Sequence, residues 1–208
     1  MSDHWMVKRL SDLLVSKEDT DFVIVSPGGQ EHKTHTFLLR SASPVFAAML
    51  ESGMEESESG RLQIEDGTDV AVDALVHYLY MSKIAEDCLA SSVEDLIALY
   101  HLAHRDDLKG LCGLCDRELT KRVSVDSLER CLELLKLHGQ ETPHLKSAAH
   151  KVVADNIREL HREGEEATEL ARRFPREFCD AWCESLSPDS EEEMAYTVVV
   201  SDDDFGVE

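Results

Sequence analysis

Two pairs of potential metal ligands lie close together in the middle of the chain. Two residues separate Cys112 from Cys115 in the sequence. His101 and His104 precede them and have the same spacing. Thiolate and imidazole are common zinc ligands, and two such pairs can complete a tetrahedron. However, residues 105–111 are predicted to turn between two helices whose apolar faces need these positions. We therefore interpret the four side chains as buried thiols and ordinary histidines, and expect no metal and no cofactor.

The sequence shows no arrangement typical of an enzyme. It has no nucleophile elbow, no phosphate-binding loop, no His-Glu-x-x-His helix and no carboxylate pair framed by apolar sequence. Cys179 and Cys183 have helical spacing and receive the same interpretation as the other thiols. Because no secretory signal precedes the six cysteines, we expect the thiols to stay reduced. The sequence therefore favours a protein without catalytic activity.

Charge and hydropathy restrict the partners further. The formal net charge is −22, and residues 187–208 carry eight acidic residues with no Lys or Arg. A surface of this kind repels phosphate backbones, so nucleic-acid binding is not expected. The sequence has neither the apolar core of a signal peptide nor a run of membrane-spanning length. We expect a protein of the nucleus or cytoplasm, without membrane contact, that ends in an acidic flexible tail.

Three short strands are predicted in the first third of the chain, at residues 22–25, near 31–34, and around Leu62 to Ile64. The first is β-branched and aromatic and stops at the turn signal Pro27-Gly28-Gly29. A polar loop is expected at residues 51–60, before the third strand. Helices are predicted for most of the remaining chain, which indicates the α+β class.

The predicted helices follow from apolar residues at helical spacing. Ser43 and Pro44 suit the N-cap and first position of a helix at residues 45–50. Later apolar stripes predict helices around residues 72–79, 96–103, 128–135 and 145–153, with weaker helical segments at 167–174 and 178–186. The helices on either side of the breaker at residues 139–143 are expected to form an antiparallel pair.

An ordered set of short segments resembles the BTB/POZ domain, and specifically the speckle-type POZ group that continues into cullin-binding helices. The segments are Thr20 to Val25, His35, Ser43 to Leu50, Met54 to Ser57, Arg61 to Ile64, Leu75 to Tyr80 and Asp95 to Leu108. The likeness continues through Val125 to Asn156 and more faintly to Leu186, so it covers most of the chain. Each segment alone is a weak signal, but their order and spacing are specific.

This resemblance implies a BTB/POZ fold, a small three-stranded or larger sheet flanked by helical hairpins, with an all-α BACK-like extension. The implied divisions are a dimerisation helix at 1–19, the BTB/POZ domain at 20–123, the BACK-like helices at 124–186 and the acidic tail at 187–208. The implied function is a homodimeric substrate adaptor of a cullin-3-type RING ubiquitin ligase. Since no upstream MATH domain or downstream propeller is visible, a dimerising scaffold that engages no cullin is the alternative.

The resemblance also assigns roles to individual residues. The family's cullin-docking signature falls on Met54-Glu55-Glu56, where a flexible thioether fills a pocket beside a carboxylate; the alternative is a solvated loop. Residues implied to help form the groove for the N-terminal arm of the cullin are Leu128, Leu132 and Leu135, which could equally be core. Residues matching the dimer helix are Met6, Leu10 and Leu13, which could instead pack within one chain.

Three positions depart from the family pattern, and one of them is Ala42, where members usually carry Arg just before the position of Ser43. Members usually carry Lys or Arg after the position of His35, whereas this chain has Thr36, so the charged pocket around Asp21 would need Lys33 or Arg40 instead. The family's aromatic residue at position 106 is here Asp106, which predicts a looser junction between two helices.

The acidic tail contains a short segment suited to strand addition. Val198, Val199 and Val200 are followed by Ser201 and Asp202 to Asp204, a β-prone core with an acidic flank that resembles a SUMO-interacting motif. The overlapping Tyr196-x-x-Val199 resembles the aromatic-x-x-aliphatic motif read by autophagy modifiers. The alternatives are an unstructured tail or a strand that packs on the protein itself.

Overall fold

The computed structural model describes residues 3–162, 170–176 and 178–180. The strands are β1 (Phe22–Val25), β2 (Glu31–Thr34) and β3 (Arg61–Gln63). The helices are α1 (Asp3–Ser16), α2 (Thr36–Ala42), α3 (Pro44–Glu51), α4 (Glu55–Ser59), α5 (Asp69–Met81), α6 (Glu86–Ala90), α7 (Val93–Arg105), α8 (Lys109–Thr120), α9 (Leu128–His138) and α10 (Pro143–Arg162). Residues 170–173 and 178–180 are also helical. The predicted α+β class is confirmed.

The strands form one sheet with the order β2-β1-β3. Strand β1 pairs antiparallel with β2, which places Phe22 opposite Thr34, and parallel with β3, which places Ile24 opposite Leu62. A parallel partner requires a crossover, and α2 to α4 provide it. Since β1 is the central strand, Phe22, Ile24 and Val25 are buried, whereas Val23 is half-buried.

The polar loop expected at residues 51–60 is partly helical, which corrects the sequence-based prediction. The carbonyl of Met54 accepts hydrogen bonds from the amides of Ser57 and Glu58, so α4 forms there. Acidic residues in its first turn suit the positive end of a helix dipole. Gly60 ends the helix in the left-handed region with φ of 64°, where glycine carries no steric penalty.

The turn between β1 and β2 is fixed to the start of α5. The Oδ1 atom of Asp69 accepts hydrogen bonds from the Ser26 hydroxyl at 2.5 Å and the Gly28 amide at 2.8 Å. These hydrogen bonds lower the pKa of the Asp69 carboxyl. A Cβ at position 28 would lie 2.2 Å from Asp69 Oδ2, so the approach requires glycine.

Helices α5, α7 and α8 supply a large share of the hydrophobic core. The fully buried side chains include Leu75 of α5, Leu96 and Leu99 of α7, and Leu111 and Leu119 of α8. Polar contacts at the helix starts fix the packing further. The Thr68 hydroxyl caps α5 and also donates to Asp95 at 2.7 Å, and Asp95 forms a capping box with Ser92 at the start of α7.

The helices α9 and α10 pack on each other. A buried carboxylate of α8 joins that helix to the start of α10. Asp116 accepts hydrogen bonds from the backbone amides of Leu145 at 2.8 Å and His144 at 3.3 Å, so it caps the start of α10 from a distant part of the chain. Phe174 is buried in the same core, and its neighbour Arg173 pairs with Glu133 at 2.8 Å and with Glu129.

We expect Asp116→Ala to lower the free energy of unfolding by about 1–3 kcal/mol, because two amides would lose their acceptor in a buried environment. Urea unfolding followed by circular dichroism measures this change. The control is Asp126→Ala, which alters an exposed carboxylate and should leave the unfolding midpoint unchanged. Equal midpoints for the two variants would contradict a stabilising role for this cap.

Candidate protein-interaction site

Helix α1 presents an apolar surface at its N-terminal end. Trp5 and Met6 are 65% and 54% exposed, and Val7 is exposed beside them. Leu10 and Leu13, by contrast, are half-buried and pack against the core of the same chain. The structure therefore separates the three predicted positions: Met6 is available to a partner, whereas Leu10 and Leu13 contribute mainly to intramolecular packing. Trp5 and Val7 lie outside the helical stripe of Met6, Leu10 and Leu13 that the sequence indicates, so the spacing of apolar residues does not predict their exposure.

The end of α1 is anchored by a buried histidine. The Nε2 atom of His35 donates to the carbonyl of Glu18 at 2.9 Å, and its Nδ1 atom contacts the Tyr80 hydroxyl at 2.7 Å. Lys17 and Asp19, on either side of Glu18, have positive φ angles of 55° and form a sharp bend. This bend and the histidine fix the direction in which α1 leaves the domain.

The predicted docking triplet lies at the start of α4. Met54 is the N-cap residue of this helix and its side chain is 58% exposed. Glu55 is exposed and Glu56 is half-buried, both in the first helical turn. Helix α4 contacts α3 and β3, so the triplet is carried by a folded segment of the domain. An exposed thioether next to two carboxylates is a small amphipathic surface.

A groove of about 980 Å³ lies between α7 and α9 and is also lined by Arg173 and Phe174. Its apolar lining consists of Ile97, Ala98, Leu102, Leu134, Leu137 and Phe174. Charged side chains that also line it are Asp66, Glu94, Glu133, Arg105, Arg130, Lys136 and Arg173. An apolar floor with charged edges suits a short apolar peptide segment.

The residues of α9 that were expected to help form such a groove do not line it. Leu128, Leu132 and Leu135 are buried in the core. Residues three or four apart share one face of a helix, and the face that carries these leucines packs inward. Helix α9 lines the groove with Leu134 and Leu137 instead, of which Leu137 is 70% exposed.

The departures from the family pattern at Thr36 and Asp106 are accommodated by local hydrogen bonds. The Asp21 carboxylate accepts from the Thr36 amide at 2.8 Å and the Thr36 hydroxyl at 2.6 Å. Burial opposes ionisation of Asp21, but these hydrogen bonds outweigh it and lower the pKa of the carboxyl. Arg40 pairs with Glu51 at 2.9 Å and so does not replace the missing basic residue.

At the second departure, Asp106 is buried and its carboxylate accepts two hydrogen bonds from Arg105, at 2.8 and 2.9 Å. Its backbone carbonyl accepts from the Ser43 hydroxyl at 2.5 Å. The backbone and carboxylate of Asp106 are therefore fixed by polar contacts with Ser43 and Arg105.

The two cysteines considered as metal ligands are packing residues. Cys115 is fully buried and Cys112 is half-buried. Burial raises the pKa of the Cys115 thiol and raises that of Cys112 to about 11. Among the described cysteines, Cys179 is the exposed one.

Two further predictions concern residues outside the described part of the chain. The tail segment with Tyr196, Val198, Val199, Val200, Ser201 and Asp202 lies outside it, as does Cys183. Within the described part of the chain, no helix combines the length and apolar character needed to cross a membrane.

Comparison with known proteins identifies the class to which this fold belongs. The sequence profile of the BTB/POZ domain matches residues 10–122. A BTB/POZ domain-containing protein of Arabidopsis thaliana is 32% identical over 166 residues, which cover 77% of this chain and 65% of the relative, so the chain spans slightly less than two thirds of that protein. The chain belongs to the BTB/POZ family. Such domains mediate protein interactions, commonly self-associate and bind cullin 3.

Exposure and burial predict the reactivity of the thiols. At pH 8, iodoacetamide should modify the exposed Cys179 readily and Cys112 about 100-fold more slowly than a free thiol, because burial raises the pKa of Cys112 to about 11 and reduces its thiolate fraction by about that factor. Peptide mass spectrometry over time measures both rates, and urea should make all thiols reactive. Equal rates at Cys112 and Cys179 in the folded protein would show an accessible thiolate at Cys112.

Proposed function

We propose that this chain is a homodimeric substrate adaptor of a cullin-3-type RING ubiquitin ligase. The observation that carries the proposal is the exposure of Met54 at the N-cap of α4, beside Glu55 and Glu56. A large apolar side chain that is 58% exposed contributes little to the stability of its own domain. Methionine adapts its shape to a partner's pocket, and the adjacent carboxylates provide polar contacts at its edge.

The groove between α7 and α9 provides a second contact area in this proposal. An apolar segment of the cullin's N-terminal arm would lie on Leu134, Leu137 and Phe174, with its ends near the charged side chains of the edge. A bare BTB domain without α9 and residue 174 would lack this surface. The groove therefore supports a role for the C-terminal helices in strengthening the contact made by Met54.

In this proposal each part of the chain has a separate role. The helix within residues 1–19 pairs two chains, the BTB/POZ domain at 20–123 binds the cullin, and the BACK-like helices at 124–186 extend the docking surface. The ligase partners supply all the chemistry, in the nucleus or the cytoplasm. This adaptor requires no catalytic residue of its own.

A dimerising scaffold that engages no cullin is the second candidate. Its basis is the apolar surface formed by Trp5, Met6 and Val7, which suits self-association or pairing with another BTB protein and which the adaptor uses as well. In this alternative, Met54 and the groove bind other proteins. The two candidates share the dimer and differ only in cullin binding.

In either case the tail at residues 187–208 supplies a route to further partners. We propose that Val198, Val199 and Val200 add a strand to the sheet of a SUMO or autophagy-modifier protein, with Tyr196 as the aromatic anchor for the latter. Ser201 and Asp202 provide the acidic flank that would meet a basic rim.

The double variant Met54→Ala and Glu56→Lys should abolish binding to the N-terminal domain of cullin 3, because it removes the apolar anchor and reverses the charge beside it. Isothermal titration calorimetry of the unmodified chain should give a dissociation constant of roughly 1 μM or lower, equivalent to about −8 kcal/mol. Leu137→Asp, which alters the groove alone, should weaken binding without abolishing it.

The control for this experiment is Val125→Ala, since Val125 is exposed but lies in neither contact area. Light scattering should show that every variant keeps the oligomeric state of the unmodified chain. Absence of heat and of a stable complex with the unmodified chain would replace the adaptor with the dimerising scaffold.

Met6→Asp should convert the dimer into monomers at concentrations where the unmodified chain is dimeric. An uncompensated carboxylate within an apolar interface costs about 3 kcal/mol or more, which corresponds to a loss of affinity of at least about 100-fold. Size-exclusion chromatography with light scattering measures the mass over a dilution series. The matched change Leu137→Asp places the same charge on α9 and should leave the dimer intact; monomers in both cases would indicate non-specific disruption.

A further inference from the structure

Three side chains with metal-binding atoms converge where the BTB/POZ domain meets the C-terminal helix pair. His104 lies in the last turn of α7, His138 is the last residue of α9, and Glu141 lies in the connection to α10. One donor atom from each falls within 4.8 Å of the other two. The Oε2 atom of Glu141 lies 2.8 Å from His104 Nε2 and 3.8 Å from His138 Nδ1, so one carboxylate oxygen faces both rings.

The surroundings hold these groups in place. The ring centroids of His104 and His138 are 4.2 Å apart, and His101 lies 5.6 Å from His138 on its other side. The buried ring of Tyr100 stacks on His104 at 6.2 Å and contacts His138 at 5.4 Å. The buried ring of Tyr100 therefore packs against both imidazoles and connects the histidine group to the core.

We propose that His104, His138 and Glu141 bind a zinc ion, with the fourth coordination position open to solvent. Two imidazole nitrogens and one carboxylate oxygen are a recognised zinc ligand set, and such three-residue sites keep a water on the metal. Calcium and magnesium prefer ligand sets made of oxygen, so imidazoles select against them. The distances among the three donors require only side-chain rotation to reach zinc-ligand geometry. The net charge of −22 also favours the approach of a divalent cation.

Zinc at this position would act as a clamp between two parts of the fold. His104 belongs to the helix that forms one wall of the groove, and His138 ends the helix that forms the other wall. His101, Lys136 and Leu137 line the groove next to the proposed ligands. An occupied site therefore fixes the spacing of α7 and α9 from the end of the groove.

Calorimetric titration of the chelator-treated full chain with zinc chloride, in a reductant that does not bind metal, tests the site. We expect one ion per chain in a saturable reaction. His104→Ala should weaken binding by about 100-fold or more and Glu141→Ala by at least about 10-fold, since even residues that only orient metal ligands contribute 10–100-fold. Both side chains are substantially exposed, so these variants should fold. The thermal midpoint should rise with zinc in the unmodified chain and much less in the variants.

The matched control is His144→Ala, which removes an exposed histidine outside the group and should leave zinc affinity unchanged. Cobalt provides a second readout, because ligation by nitrogen and oxygen gives visible absorption without a thiolate-to-metal charge-transfer band. Three results would overturn the proposal: no zinc binding by the unmodified chain, unchanged affinity in His104→Ala and Glu141→Ala, or a thiolate band showing that cysteines hold the ion.

Discussion

The burial of α7 is the constraint on which the other surfaces depend. Leu96, Leu99 and Tyr100 are fully buried against neighbouring helices, so the helix can neither rotate nor slide without exposing large apolar side chains. Each such side chain is worth about 1.5–3 kcal/mol when buried. With its inner face fixed, α7 presents Ile97 and Leu102 to the groove, and its last turn brings His104 towards the end of α9. One packed helix thus positions two separate sites.

Much of this fold could be predicted from local sequence signals. The β-branched run at Phe22–Val25 and the Ser43-Pro44 start of α3 were identified because strand and cap preferences act over a few residues. The helix α4 was missed because five polar residues carry no apolar period, and its formation depends on the Met54 carbonyl. The groove-lining face of α9 was missed for a different reason: leucines occur on more than one face, and the inward face is decided by tertiary contacts rather than by spacing.

The histidine group illustrates the limit of spacing arguments more clearly. The sequence suggests pairing His104 with nearby Cys112 and Cys115, but these thiols lie in the packing between helices. The partners of His104 come from more than thirty residues further along the chain, after α8 and α9 have reversed direction. Only the closure of α9 against α7 brings them together, and no local pattern encodes that closure. A capping carboxylate such as Asp116 has the same property, since its partners Leu145 and His144 are distant in sequence.

The candidate interaction surfaces lie on elements with different degrees of constraint. Helix α1 is anchored at its end by His35, while its apolar N-terminal residues project from the packed part. Met54 lies on a short helix held by its contacts with α3 and β3. The groove, however, lies between α7 and α9, whose mutual contact is slight compared with that of α7 and α8. Any ligand that fixes the distance between α7 and α9 must therefore alter affinity in the groove, and by linkage a peptide bound there must alter affinity for that ligand equally.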